Sequence, residues 1–425
     1  MYRNQTKDRP LHELLFEHGE VQFLSSIHAT EEEDDFRSLA EKGDRVLGSR
    51  NRWAILAMDG NDMGSQFREF QKSEDLHTPS GRQRLNRWMT VMSRELDTCT
   101  RRAFLDGLET VLAKWAKWWE TEERDLTERA KNRSPIVLPF RPLIVGGDDV
   151  LCLCHVSIAM RLAEEIIRRF ETLSVAAAQR ASKEDGIPSL WPATGNRLTI
   201  SAGIVYSRVT LPLFNAIPYA ESLLGSAKGK FREKRRPGQP TPAAIDWESV
   251  TETMLDTPTA RRKREMQFHD PDLNRKIFLC KRPCLATEIP ELRRKAHELR
   301  EVPRSVLAET QKILSLPWSR RSQRLAALRK RQQEFVDRVQ DFDFDGQDPP
   351  GEFWVEEDGK RTCMFADILS LLEEESDVAE HRVNRVIHGT ERFSDRGLPS
   401  FRKKSDTEGI VRDEDRIHTG NSFGR

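Results

Sequence analysis

The amino-acid sequence predicts an α+β fold in which a buried sheet packs against long amphipathic helices. Short apolar runs of strand length end abruptly at Gly or Asp, as buried strands do. Longer segments between them carry apolar residues at spacings of three and four, which is typical of helices with one buried face. Runs and helical segments also alternate along the chain, so that strands and helices share one domain.

Five runs have the length and composition of strands. The first ends at an aspartate and a glycine, and the second and third are separated by only four residues, which predicts a tight hairpin. The five predicted strands are Arg52–Gly60, Pro142–Val145, Val150–Cys154, Leu198–Tyr206 and Ala243–Trp247.

Three long helices are predicted in the same region, at residues 82–133, Ser157–Leu173 and Pro212–Lys228. Ser157 is placed as the residue that caps the second of them. Three tryptophans near the end of the first helix could form an aromatic platform for nucleotides or RNA, but their helical spacing favours a buried core face. These are Trp115, Trp118 and Trp119.

The resulting order, β-α-(α)-β-β-α-β-α-β, contains the split βαββαβ arrangement of ferredoxin-like domains, with a helical insertion between the first strand and the hairpin. We therefore predict a βαββαβ domain followed by a C-terminal α-helical domain, since residues 286–345 are predominantly helical and a final helix is predicted at Cys363–Leu372. The predicted divisions are an N-terminal extension (1–50), the βαββαβ domain (51–250), the helical domain (251–375) and a disordered tail (376–425).

The composition restricts the class of protein. The chain of 425 residues carries 69 basic and 69 acidic side chains, and 37% of its residues are hydrophobic. A net charge of zero argues against a general nucleic-acid coat protein. No apolar stretch reaches membrane-spanning length, no signal sequence is visible, and the six cysteines are scattered. We expect a soluble, cytoplasmic protein without membrane contact.

Three aspartates form the candidate catalytic site. Asp59 ends the first strand, and Asp148 and Asp149 lie in the predicted hairpin turn. Because the first strand and the hairpin are neighbours in a split βαββαβ sheet, the three carboxylates should meet at one edge. Their mutual repulsion predicts a divalent cation, Mg²⁺ or Mn²⁺, of the kind that supports phosphoryl or nucleotidyl transfer. A plain surface hairpin is the alternative explanation of the turn.

Glycines and lysines add a candidate phosphate site. Gly146 and Gly147 would let the backbone approach phosphates closely. Lys228 and Lys230 end the third predicted helix and could neutralise a triphosphate, although cations at a helix end also stabilise its dipole. For Arg235 and Arg236 we favour the solvated alternative.

Two further features are weaker. Cys280 and Cys284 form a lone C-x₃-C pair, and a zinc site would require two more ligands. The run from Arg261 to Arg264 could contact RNA phosphates, but a solvated charged segment explains it equally well.

The motifs together resemble the second palm domain of the large polymerase/cyclase subunit of type III CRISPR effector complexes, which is itself related to GGDEF nucleotide cyclases and minimal CRISPR polymerases. The resemblance covers roughly residues 50–375. It rests on four segments that occur in the family's order: Met58–Gly64, Gly146–Asp149, Ile200–Ile204 and Pro212–Lys230.

The resemblance implies an enzyme that joins ATP, or another nucleoside triphosphate, into cyclic oligonucleotide second messengers for antiviral defence. Asp59, Asp148, Asp149 and the backbone of Gly60 would bind metal. The implied nucleotide-binding residues are Gly60, Gly146, Gly147, Ser201, Lys228 and Lys230.

The chain also departs from the family. Asn61 precedes Asp62 where relatives often have Asp-Gly-Asp, so that Asp62 would need a small shift to bind metal. Neither an HD nuclease nor a first palm is recognisable, and the site would need a second palm, from a homodimer or from another palm-containing subunit. RNA or CRISPR subunits are further possible partners. The alternative function is a non-catalytic palm scaffold or nucleotide sensor within a CRISPR-like ribonucleoprotein.

Overall fold

The computed structural model describes residues 52–127, 140–251, 256–331, 354–357 and 360–374. The predicted extension at 1–50 and the predicted tail at 376–425 lie outside the described residues. The same holds for the side chains of Trp115, Trp118 and Trp119.

A six-stranded sheet organises the first part of the described chain, with the order β2-β3-β1-β4-β5-β8. β1 is antiparallel to both β3 and β4, while β4 and β5 are parallel. This is the neighbourhood that a split βαββαβ sheet requires, so the predicted α+β fold is confirmed. The strands are β1 (Arg52–Gly60), β2 (Phe140–Gly146), β3 (Asp149–His155), β4 (Ile200–Arg208), β5 (Ala244–Val250) and β8 (Cys284–Leu285).

Helices cover both faces of this sheet. α1 (Met63–Ser73) and α2 (Pro79–Thr127) form the helical insertion, followed by α3 (Val156–Glu184) and α4 (Leu213–Arg232). Successive residues of β1 point to opposite faces, so that one set packs with α2 and α3 and the other set packs with α4. This explains why β1 is apolar throughout, with Trp53 to Met58 all buried.

The start of α3 differs from the prediction. The helix begins at Val156, and the capping residue is His155, whose Nδ1 accepts a hydrogen bond from the Ser157 backbone N–H at 3.3 Å. Ser157 therefore lies inside the helix, and its hydroxyl contacts the same imidazole nitrogen at 2.9 Å.

The segment after β5 contains helices and a second sheet. Its helices are α5 (Pro258–Glu265), α6 (Ile289–Glu298), α7 (Arg304–Leu314), α8 (Trp318–Arg331) and α9 (Phe365–Glu374). The second sheet is built from β6 (Gln267–Asp270), β7 (Arg275–Phe278), β9 (Trp354–Glu357) and β10 (Lys360–Cys363). Their order in the sheet is β6-β7-β10-β9. The helices were expected, but this sheet was not. No helix among the described residues is both long and apolar enough to cross a membrane.

Candidate metal centre and active site

Three carboxylates meet at one edge of the large sheet. Asp59 is the next-to-last residue of β1 and pairs directly with Asp149, the first residue of β3. Asp148 lies in the turn between β2 and β3, and its carbonyl accepts a hydrogen bond from the Gly60 N–H at 3.1 Å. One oxygen from each of the three carboxylates lies within 4.8 Å of the other two. We call Asp59, Asp148 and Asp149 the acidic cluster.

The hairpin turn consists of only two residues, Gly147 and Asp148, because Gly146 and Asp149 already pair as the ends of β2 and β3. Gly147 has a φ of 61°, in the left-handed region that favours glycine over residues with a side chain. The sequence Gly-Gly-Asp-Asp therefore places both aspartates at the sheet edge through a turn that a bulkier residue at 147 would strain.

The acidic cluster is electrostatically unfavourable without a cation. Burial, the charge of Asp59 and a hydrogen bond with Asp59 raise the pKa of Asp148 to about 6. Burial and the charge of Asp59 also raise the pKa of Asp149, against the opposing effect of Lys228. Both shifts arise because carboxylates close together and partly removed from water disfavour their charged forms.

Lys228, from the last turns of α4, places its ammonium in this cluster. Its Nζ donates to Asp59 Oδ2 and to the Gly60 carbonyl oxygen, the latter at 2.8 Å. The lysine side chain is only 16% exposed. One positive charge thus offsets part of the charge of three carboxylates.

The donor set suits a hard divalent cation. Three carboxylates and the Gly60 carbonyl supply only oxygen ligands, which Mg²⁺ and Mn²⁺ prefer. The Lys228 ammonium already bonds to two of these donors, which shows that the oxygens point to a common place where positive charge is stabilised. Among the described residues, no other group of three or more carboxylate, histidine or cysteine ligands converges in this way.

Asp62 does not provide the additional metal contact that a small shift was expected to supply. It has a φ of 64° and its Oδ2 accepts the Thr241 N–H at 2.6 Å. Its Oδ1 accepts from the Thr241 hydroxyl at 3.0 Å and from Arg235 Nη1 at 3.1 Å. Both carboxylate oxygens are therefore engaged in holding the loop that follows β1. Arg235 is not the solvated cation that we expected, since it also donates to the Ala193 carbonyl at 2.6 Å.

Asn61 is buried below this loop. Its Nδ2 donates to the Thr199 hydroxyl at 2.9 Å and to the Ser201 hydroxyl at 3.0 Å. With 3% of its surface exposed, the side chain stabilises the junction between β1 and β4 rather than facing the acidic cluster.

Two residues predicted to bind nucleotide are engaged elsewhere. Ser201 is fully buried, and its Oγ accepts from Asn61 and from the Ala244 N–H at 3.2 Å. Lys230 donates to the carbonyls of Lys281 and Pro283 at 2.7 and 2.8 Å. The structure therefore lends no support to a nucleotide contact by either side chain and gives both a packing role.

The cysteine pair and the basic run, the two weaker candidates from the sequence, also have structural roles. Burial raises the pKa of Cys280 to about 12 and that of Cys284 well above its usual value. Among the described residues, neither thiol belongs to a group of three or more converging metal ligands, so the pair lacks the further ligands that a zinc site requires. Within the Arg261–Arg264 run, Arg262 is 8% exposed and forms two hydrogen bonds with Asp246, at 2.6 and 2.8 Å. That arginine is a buried ion-pair partner, unavailable to RNA phosphates.

Sequence reasoning missed two residues that contact the turn. Asp97 and Thr100 of α2 bond to the backbone of Gly147 from 50 and 47 residues away in the chain. On the sequence they are ordinary polar positions of an amphipathic helix, so no local signal marks them.

The fold and the site together define a palm domain, in which a βαββαβ sheet presents carboxylates from its first strand and its hairpin. Residues 52–236 match the family model described as Cas10/Cmr2, second palm domain. This segment is thus similar to the second palm domain of Cas10/Cmr2 proteins, which confirms the resemblance seen in the sequence motifs.

Among solved structures, a chain from "Crystal structure of Csm1-Csm4 cassette in complex with cA4" matches with a TM-score of 0.33 and 15% identity. The match covers 62% of this chain and 28% of that chain. A superposition of this quality supports no conclusion about function, substrate or partner. No curated protein matches the chain at a significant level.

Proposed function

We propose that this protein is a nucleotidyltransferase that joins nucleoside triphosphates, ATP first among them, into cyclic oligonucleotides through 3′–5′ phosphodiester bonds in CRISPR-type antiviral defence. The observation that carries the proposal is the acidic cluster: three carboxylates with oxygens within 4.8 Å of one another, in a palm of the Cas10 family. Such a cluster has a high electrostatic cost without a bound cation, and nucleotidyl transfer is the chemistry that uses one there.

In this mechanism the acidic cluster and the Gly60 carbonyl would hold Mg²⁺ or Mn²⁺. When bound, the metal supplies charge neutralisation and lowers the pKa of an attacking 3′-hydroxyl. Lys228 exchanges its contacts with Asp59 and Gly60 for the phosphates of the substrate, where its charge stabilises the departing pyrophosphate. The 3′-oxygen forms a bond to the α-phosphorus, the bond from that phosphorus to the pyrophosphate breaks, and the hydroxyl proton passes to water.

The acceptor nucleotide requires a second binding surface facing the first. A second palm, from another copy of this chain or from another palm-containing subunit, would supply it. RNA or other CRISPR subunits belong to the same proposal as activators.

The test is incubation of the purified protein with each α-³²P-labelled nucleoside triphosphate and Mg²⁺ or Mn²⁺, followed by resolution of the products. We expect a phosphatase-resistant product from the wild type and none from the double variant Asp148→Ala, Asp149→Ala. Asp256→Ala is the matched control, since that aspartate is exposed and pairs only with Arg264 in the described chain.

The second candidate is a palm that binds nucleotide or partner subunits without turnover. Its support is the loop after β1, where Asn61 and Asp62 stabilise the fold and add no ligand to the acidic cluster. Nucleotide binding that is unchanged in the double aspartate variant, with no product from any nucleotide, would favour this candidate.

A further inference from the structure

We propose that Asp97 and Thr100 of α2 are positioning residues, which hold the Gly147 peptide so that the acidic cluster keeps the geometry needed to bind a divalent cation. This inference rests on the proposed function. We call these two side chains the α2 clamp.

The α2 clamp bonds to both polar groups of one residue. Asp97 Oδ1 accepts the Gly147 N–H at 3.1 Å, and the Thr100 hydroxyl donates to the Gly147 carbonyl oxygen at 2.6 Å. Since Gly147 is the first residue of the two-residue turn and Asp148 is the second, these bonds act one residue away from a carboxylate of the acidic cluster.

Asp97 is itself oriented by its own helix. Arg101, one turn further along α2, donates from Nε to Asp97 Oδ2 at 2.8 Å. The carboxylate therefore has one oxygen fixed by the guanidinium and the other directed at the turn. Thr100 is fully buried, so its hydroxyl has little freedom to exchange Gly147 for water.

The contact is also close in a steric sense. A Cβ built on Gly146 would lie 3.2 Å from Arg101 Nη2 and 3.2 Å from Asp97 Oδ1. A side chain at position 146 would therefore crowd the Asp97 carboxylate that bonds to Gly147.

The turn lies at the edge of the sheet. β2 is the edge strand of the sheet, and its pairing with β3 is irregular between Pro142 and Ile144. Leu143 and Ile144 are 37% and 52% exposed, so Val145 is the apolar residue of β2 that packs against the core next to the turn. Like charges in the acidic cluster push the turn away from β1, and the Gly60–Asp148 bond opposes this from one side only. The α2 clamp supplies the restraint from the other side.

The test measures Mn²⁺ binding by the electron paramagnetic resonance signal of free Mn²⁺, alongside product formation. Thr100→Val removes the hydroxyl while keeping the shape, and Thr100→Ser keeps the hydroxyl. Thr98→Val is the matched control, because that exposed threonine on the same helix bonds only within it, to the Arg94 carbonyl at 2.8 Å. Asp97→Ala and Asp97→Asn form a second pair, since Asn retains an acceptor for the Gly147 N–H.

We expect Thr100→Val and Asp97→Ala to weaken Mn²⁺ binding about tenfold or more, as loss of groups that orient metal ligands commonly does. Thr100→Ser, Asp97→Asn and Thr98→Val should bind Mn²⁺ as the wild type does. A general loss of structure would not be reversed by Ser and Asn in this way, and the Asp97 pair remains informative should Thr100→Val fail to fold.

Two results would overturn the inference: Mn²⁺ binding in Thr100→Val and Asp97→Ala equal to that of the wild type, or no wild-type binding that depends on Asp148 and Asp149. If the wild type forms product and the clamp variants bind Mn²⁺ normally, the inference fails while the proposed function stands. If Mn²⁺ binding depends on the clamp but no product forms, the inference stands and the proposed function fails.

Discussion

Lys228 and Lys230 show how two lysines that lie two residues apart, on either side of Gly229, can have different roles. Lys228 contacts the acidic cluster, whereas Lys230 contacts backbone carbonyls of the segment after the palm. A pattern of closely spaced basic residues does not distinguish them, because the helix rotates the two side chains about 200° apart.

We predict that Lys228→Met lowers the affinity for a nucleoside triphosphate about tenfold, because a charge-assisted contact to phosphate is lost. Binding of Mn²⁺ should persist, since no ligand oxygen is removed. Isothermal titration calorimetry with a non-hydrolysable triphosphate in the presence of Mn²⁺ measures the affinity for nucleotide. Titration with Mn²⁺ alone measures the affinity for the metal.

Lys230→Met is the matched control for this prediction. It should leave nucleotide affinity unchanged and lower the free energy of unfolding by about 1 kcal/mol, since two carbonyls lose a donor. Equal losses of nucleotide affinity in both variants would contradict the assignment of the phosphate contact to Lys228.

Asp148 makes the stability of the metal-free protein depend on pH. Folding raises the pKa of this carboxyl from an ordinary value of 3.8 to about 6, so the folded protein retains the proton to higher pH than the unfolded chain. The stabilising contribution is complete below about pH 4 and is lost as the pH rises through about 6. Asp148→Asn has no such loss.

We therefore predict that, in EDTA, Asp148→Asn gains about 1 kcal/mol of unfolding free energy relative to the wild type between pH 4 and pH 7.5, after allowance for solvent screening. Urea unfolding at the two pH values measures the difference. The same stability difference at both pH values would contradict the role of Asp148.

At the scale of elements, β4 and α4 pack so closely that a side chain cannot fit between them at Gly203. A Cβ there would lie 2.2 Å from the Ala220 carbonyl oxygen and 2.4 Å from the Leu224 nitrogen, both of them backbone atoms. Because α4 also carries Lys228, the close packing at Gly203 determines where the lysine lies relative to the acidic cluster.

Gly203→Ala should consequently destabilise the protein by about 3 kcal/mol or more, since neither backbone atom can move without displacing the helix. Gly225→Ala, on the outer face of α4 with no atom within 4 Å of its Cβ, should be neutral or stabilising by up to about 1 kcal/mol. Urea denaturation of both variants provides the comparison, and a tolerated alanine at 203 would contradict the close packing.

The second sheet shows which elements escape prediction. Its four strands have four residues each, too few for a clear alternation of apolar and polar side chains. β7 and β10 pair in parallel although more than eighty residues separate Ile277 from Arg361. The start of α3 also escaped prediction. Serine is preferred at helix N-caps, which pointed to Ser157, but the capping residue is His155.

At the scale of the whole molecule, the palm is joined to the following segment by buried charges. Asp367 of α9 is fully buried, and accepts from Arg282 Nε at 2.8 Å and from the Lys281 N–H at 2.7 Å. Arg282 continues to the palm by donating to the Trp247 carbonyl of β5 at 2.5 Å. Arg282 and Asp367 therefore link α9 to β5 of the first sheet.

We predict that Asp367→Ala lowers the free energy of unfolding by about 3–5 kcal/mol, because it leaves the Arg282 guanidinium buried without its counter-ion. Asp256→Ala, which removes one partner of an exposed pair with Arg264, should change the unfolding free energy by less than about 1 kcal/mol. Urea unfolding followed by tryptophan fluorescence tests both, and an effect of Asp367→Ala as small as that of the exposed pair would contradict the network.

The sequence by itself determined the α+β class, the order of the palm elements and the convergence of Asp59, Asp148 and Asp149. These follow from local rules: apolar runs of strand length, helical spacing, and a Gly-Gly-Asp-Asp turn beside the first strand. The rules act over a few residues, so one chain is enough to apply them.

The tertiary structure alone decided which polar residues serve the site and which support the fold. Asn61 and Asp62 face Thr241, nearly 180 residues away, and Gly147 is held by side chains about 50 residues upstream. Such partners depend on how whole elements pack, since a hydrogen bond forms only when packing brings donor and acceptor within reach. The spacing of residues along the chain does not encode how elements pack. The packing of α4 alone places Lys228 at the acidic cluster and Lys230 against the carbonyls of Lys281 and Pro283.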